Sequence, residues 1–163
     1  MDAYATPEAA VLPLLPYLPR QTRFCEPCAG EGHLIRHLEK HGHQCSSAFD
    51  LDPDSAHPEL DALHLTPEHL AGADYIITNP PWTRHVLHGM IDRFTSLAPT
   101  WLLFDADWAY TKQSMPHMDR CRMIVAVGRV KWIEGSQHTG KDNCSWYLFG
   151  TKTQAHTDFV GRK

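Results

Sequence analysis

The chain has no long apolar run. Nowhere in its 163 residues is there a stretch of roughly 18 apolar residues, so no membrane-spanning helix is expected. A basic segment followed by an apolar one is also missing at the N-terminus, so no secretory signal is expected. Basic charge is scarce: 15 Lys and Arg stand against 19 Asp and Glu, a net charge of −4. Any contact with nucleic acid must then come from a local basic patch, not from bulk charge. Cysteines number five, an odd count that argues against a disulfide framework and fits a reducing, cytoplasmic setting. Internal repeats, low-complexity tracts and linker-like shifts of composition are absent. With 42% hydrophobic residues, residues 1–163 read as a single domain with its own core.

What is present alternates between strand-like and helix-like stretches, the pattern of an α/β sheet. Thr6 is placed as an N-cap with Pro7 as the first helical residue of a short opening helix. Strands are expected at Arg23 to Glu26, Gln44 to Phe49, Asp74 to Thr78, Trp101 to Asp105, Met123 to Ile133 and Ser145 to Phe149. Helices are expected over about Leu34 to His41 and along the stripe Val86, Leu87, Met90, Ile91, Phe94 and Leu97. The simplest packing is a doubly wound sheet finished by an antiparallel pair, with ligands outside the carboxyl ends of the strands.

Two motifs sit at those ends. Glu26-Pro27-Cys28-Ala29-Gly30-Glu31-Gly32 is a glycine turn that lets backbone approach a ligand closely. A dinucleotide fingerprint would need Gly or Ala where Ile35 stands, and no Gly-Lys-Ser/Thr phosphate loop occurs. Asp50, about 18 residues after Gly32, suits a ribose diol, so the pair points to an adenosine-containing ligand. The second motif is Asn79-Pro80-Pro81-Trp82. The Asn79 side-chain oxygen and the Pro80 carbonyl can both accept from one planar –NH2 group, over whose ring Trp82 can stack.

In these residues the chain resembles the S-adenosylmethionine-dependent methyltransferases, specifically the amino-group DNA methyltransferases that act on adenine N6. The resemblance runs over roughly residues 4 to 150. It implies a doubly wound, Rossmann-like class I methyltransferase sheet, mostly parallel with an antiparallel C-terminal strand pair. Members of that family with this motif order usually carry a target-recognition region after the core; here no separate target-recognition domain is expected, a departure from the family's pattern. Cofactor-binding positions carried over are Thr6 and Pro7 as an N-terminal motif, then Glu26, Pro27, Cys28, Ala29, Gly30 and Gly32 around the methionine part. Asp50 would bind the ribose, Leu51 would pack on the adenine, Asp61 would sit near the adenine amine, and Asn79 would border the cofactor. Asn79, Pro80, Pro81 and Trp82 would form the catalytic motif, with direct in-line displacement as the reaction. The expected partner is nucleic acid, DNA first and RNA second, with a partner subunit for target recognition as a further expectation. Related chemistry on RNA or on a protein glutamine amide stays open, as does a non-catalytic partner subunit of the same fold.

Substrate contact is expected from Trp82 and Arg84, and from the tract Arg129, Lys131, His138 and Lys141, where Trp132 interleaves an aromatic. No metal site is expected. Cys25 and Cys28 have the spacing of a metal or redox pair but no second pair follows, and His33, His37 and His41 read as a solvated helix face.

Overall fold

The computed structural model describes residues 5–163. The chain runs α1 (Glu8–Val11), β1 (Arg23–Glu26), α2 (His33–Lys40), β2 (Gln44–Ala48), β3 (Tyr75–Thr78), α3 (Arg84–Thr95), β4 (Thr100–Asp105), α4 (Met115–Met118), β5 (Cys121–Arg129), β6 (Asn143–Phe149) and β7 (Asp158–Val160), with short 3-10 turns between them. These make one seven-stranded sheet in the order β2-β1-β3-β4-β6-β5-β7. The first four strands are parallel, β6 is antiparallel to both its neighbours, and β7 lies parallel to β5 at the edge. This is the mostly parallel sheet with an antiparallel C-terminal pair that the sequence predicts.

Side chains alternate across the sheet, as strand geometry requires. Phe24, Ile77, Trp101, Leu103 and Trp146 point to the face covered by α1 and α2. Cys25, Ile76, Leu102, Phe104 and Tyr147 point to the face covered by α3. On α3 the buried residues Leu87, Met90, Ile91 and Phe94 recur at helical spacing, which fixes the helix against that face. No described helix is long and apolar enough to cross a membrane.

Three local expectations are corrected. Thr6 is not the N-cap of the first helix: Pro7 holds that place in extended conformation, and no side chain caps the helix. The Thr6 hydroxyl is engaged elsewhere, by Asn79. The strand expected to reach Ile133 ends at Arg129, after Gly128 takes a φ of 96° and shifts the register. The third is β7, which follows the last expected strand.

The sequence of crossings positions the site. From β1 the chain crosses to β2 on one side and later returns to β3 on the other. The connection leaving β1 runs to β2 and the one leaving β3 runs to β4 on the opposite side, so the crevice in which such sheets take ligands lies outside Glu26 and Thr78–Asn79.

Candidate functional site

The glycine turn after β1 is pinned from both sides. Ala29 N–H donates to the Phe49 carbonyl at 2.8 Å, and Phe49 N–H donates to the Glu26 carbonyl at 2.9 Å. Gly30 and Gly32 carry φ angles of 53° and 81°, in the left-handed region that glycine enters without strain. A Cβ on Gly30 would meet nothing within 4 Å, so the turn presents bare backbone to the crevice. A Cβ on Gly32 would crowd Arg36 and His57 at 3.2 and 3.3 Å.

Glu26 closes the floor of the crevice. It is buried, and its carboxylate accepts from Cys28 N–H at 3.0 Å. Burial pushes its carboxyl up to about 8. The nearby Asp50 charge adds to that rise, while the Thr78 hydroxyl and the Cys28 N–H oppose it. The Thr78 hydroxyl beside it is buried and makes no hydrogen bond of good geometry. A buried carboxyl is a costly group unless a ligand completes its hydrogen bonding. Asp50, past the end of β2, accepts from Gly30 N–H at 2.6 Å and from Asp52 N–H at 2.9 Å, so it ties the turn to the β2 loop. Next to it Leu51 is 65% exposed, a large apolar side chain at the crevice rim. Asp61 caps the 3-10 turn Ala62–His64, accepting from Leu63 N–H at 3.0 Å.

Across the crevice, the Asn79 amide nitrogen donates to the Thr6 hydroxyl at 3.2 Å. That bond sets the amide with its oxygen turned the other way, toward Trp82, whose indole N–H lies 3.4 Å off. The same N–H reaches the Leu103 carbonyl of β4 at 3.2 Å, the better of the two bonds. The Asn79 oxygen thus keeps capacity to accept from a ligand. Pro80 is buried and Pro81 half-buried, so the tetrapeptide is a rigid extended turn.

Trp82 packs against the core on both faces of the sheet and meets Trp132 edge to face, with centroids 5.8 Å apart. Together with Asn79 they line a pocket of about 410 Å³, to which Ser136, His138 and Lys141 contribute. Trp132 is seated by Gly140, where a Cβ would come within 2.9 Å of the indole nitrogen. Of the expected substrate residues, Trp82, His138 and Lys141 are therefore brought together around Asn79. Arg129 and Lys131 are exposed but are not part of that lining. Arg84 is held by an ion pair with Asp105 and opens onto a different cavity. The role of Thr6 toward Asn79, 73 residues away, has no local signal in the sequence.

The five cysteines are free thiols. Burial holds Cys25 up at about 11 and Cys28 well above its ordinary value, so neither is a thiolate at neutral pH.

No protein-family model matches the chain, and no curated protein matches it. Solved structures do share its fold. TrmN from Thermus thermophilus aligns over 86% of this chain and 47% of its own, with 18% identity and a TM-score of 0.60. A dimethyladenosine transferase from Plasmodium falciparum aligns over 93% and 63%, with 14% identity and a TM-score of 0.61. The methyltransferase subunit of a type I restriction-modification system from Streptococcus thermophilus aligns over 97% and 47%, with 8% identity and a TM-score of 0.63. The chain spans about half to two-thirds of the length of these proteins, and what it shares with them is the class I Rossmann-like methyltransferase fold.

Proposed function

We propose that this protein is an S-adenosylmethionine-dependent methyltransferase that modifies the exocyclic amine of a nucleobase, adenine N6 in DNA first. The observation that carries the reading is the Asn79 amide oxygen, oriented by Thr6 into an aromatic pocket beside the β1–β3 crevice. A planar amino-substituted ring fits those walls better than an aliphatic amide does.

The crevice residues suit the cofactor. The buried Glu26 carboxyl, with the Thr78 hydroxyl beside it, would take the cationic methionine end. The open backbone over Gly30 leaves room for the chain, Asp50 would take the ribose, and exposed Leu51 would cover the adenine. When bound, the cofactor supplies an electrophilic methyl group on a sulfonium. The protein's part is positioning. Asn79 Oδ1 and the Pro80 carbonyl accept from the target amine, which localises its lone pair on nitrogen and aims it across the crevice. Trp82 holds the ring in plane. A base in duplex DNA would have to leave the stack to reach this pocket, at a cost of a few kcal/mol.

The type I restriction-modification neighbour supports DNA as substrate and a partner subunit for recognition, and the dimethyladenosine transferase supports adenine amines more broadly. The test offers labelled S-adenosylmethionine with single-stranded DNA, duplex DNA, RNA and a protein extract in parallel. Label in DNA adenine is the expected result. Label confined to protein overturns the nucleobase reading, and full activity of Asn79→Ala overturns the mechanism.

A further inference from the structure

Next to the tetrapeptide lies a second cavity of about 340 Å³, lined by Arg84, His85, His88, Gln113, Pro116 and His117. The opening residues of α3 and the segment leading into α4 border it, and none of its lining residues is shared with the Asn79–Trp82 pocket. Every polar side chain in this lining carries N–H donors, and none is a carboxylate.

The donors are individually held. Asp105 anchors Arg84 through Nη2, while Arg84 Nη1 is buried without a hydrogen-bond partner. His117, only 8% exposed, turns Nδ1 to Asp92 at 3.3 Å, so that N–H is spent within the protein and the ring serves as wall, leaving Arg84 and His88 as the held donors. His88 Nε2 lies 3.0 Å from Trp108 Nε1. An indole N–H only donates, so His88 Nε2 accepts and Nδ1 carries the proton, fixing a neutral donor. The His88 and His117 rings lie against each other with centroids 4.8 Å apart. The segment that supplies Gln113 and Pro116 also carries Tyr110, 87% exposed, and Met115, 71% exposed. An exposed aromatic next to fixed anion-binding donors is the combination that single-stranded nucleic acid uses, a phosphate held and a base stacked.

We propose that this cavity receives a backbone phosphodiester of the strand whose base enters the Asn79–Trp82 pocket, with a flanking base on Tyr110. The inference rests on the nucleobase reading above. Arg84 follows Trp82 by two residues and is tied to the end of β4, the strand whose Leu103 carbonyl holds Trp82. Target base and neighbouring phosphate would therefore be gripped by one rigid unit. Asp92 and Asp105 offset much of the local charge, so the site selects by donor geometry. Such a site suits a protein of net charge −4, which has no bulk attraction for nucleic acid.

The test is a scan of a single-stranded adenine-containing oligonucleotide, one neutral methylphosphonate linkage at a time, read by fluorescence anisotropy. One linkage near the methylated base should weaken binding to the native protein about five- to tenfold, the scale of one charge-assisted contact. In the double variant Arg84→Gln/Asp105→Asn, which removes the ion pair as a unit, that linkage should lose its effect. Should that variant fail to fold, His85→Ala, at an exposed position, should reduce the effect instead. Tyr110→Ala, also exposed, should weaken binding at every linkage. A flat scan with label still entering nucleic acid overturns the cavity and leaves the nucleobase reading standing. Sensitivity that persists unchanged in the variants also overturns it. Neither binding nor label in any nucleic acid overturns both.

Discussion

The Asn79 side-chain amide donates to the Thr6 hydroxyl at 3.2 Å, joining the start of the chain to the end of its third strand. An amide is nearly symmetric in shape but opposite in polarity at its two ends. Without a partner at Thr6, a half-turn of Asn79 would present NH2 to an incoming amine and oppose it with like dipoles. Thr6→Val keeps the shape and deletes the acceptor, so it should lower kcat about tenfold, the value of one hydrogen bond. Thr6→Ser should restore most of the rate. Cofactor affinity separates this role from a direct cofactor contact: a loss of affinity with kcat intact would assign Thr6 to the cofactor instead.

Glu26 makes the protein's stability fall as pH rises. Its carboxyl stands at about 8 in the folded chain, against an ordinary value of 4.5. Between those two values the unfolded chain has released the proton that the folded chain retains. Stability from this group is therefore full below about 4.5, declines by up to about 1.4 kcal/mol per pH unit through the window, and levels off above about 8. Denaturant unfolding from pH 5 to pH 9 should show this slope in the native protein and not in Glu26→Gln. A cationic ligand reverses the preference, because it pairs with the ionised form. Binding of S-adenosylmethionine at pH 7 should release up to one proton, seen as a calorimetric heat that varies with buffer ionisation enthalpy. A heat independent of buffer would remove Glu26 from the cation's path.

The sheet and both motifs were legible because each is written in adjacent residues. Ile76-Ile77-Thr78 followed by Asn79-Pro80-Pro81-Trp82 announces a buried strand and a rigid turn with no help from the rest of the chain. The third motif, Thr6-Pro7, was visible as a motif but not in its contact, because the hydrogen bond to Asn79 spans 73 residues. The terminal strand Asp158–Val160 escaped notice for a related reason. Three residues give too little alternation to read, and pairing with the distant β5 decides their conformation. The second cavity was equally invisible, since His88 and His117 meet only after α3 and α4 have packed.

Gly140 should be sensitive because it seats Trp132 in the wall of the Asn79–Trp82 pocket. A Cβ there would stand 2.9 Å from the Trp132 indole nitrogen and 3.2 Å from the Val130 carbonyl, so the ring must shift. Gly140→Ala should move Trp132 off Trp82 and open the pocket wall. The expected result is a KM for the nucleic-acid substrate raised severalfold, cofactor affinity retained, and a stability loss of about 1 kcal/mol. An unchanged KM would mean that Trp132 does not bound the bound base.

Two buried tryptophans should respond unequally to the same substitution. Trp146 and Trp101 are both in the core of one sheet face. Trp146 donates its indole N–H to the Ala10 carbonyl at 2.7 Å and so fastens the first helix to β6. Trp146→Phe strands that carbonyl and opens a small cavity, two costs of the same sign, about 3 kcal/mol together. The indole N–H of Trp101 is buried with no partner. Trp101→Phe opens a similar cavity but removes an unsatisfied donor, so the two effects oppose and the net loss should be about 1 kcal/mol or less. The consequence for function differs too. Loosening α1 also loosens Thr6, two residues before the helix, so Trp146→Phe should lower methyl transfer as well as stability. Equal losses in the two variants would show that the Trp146 bond does not hold the N-terminal segment in place.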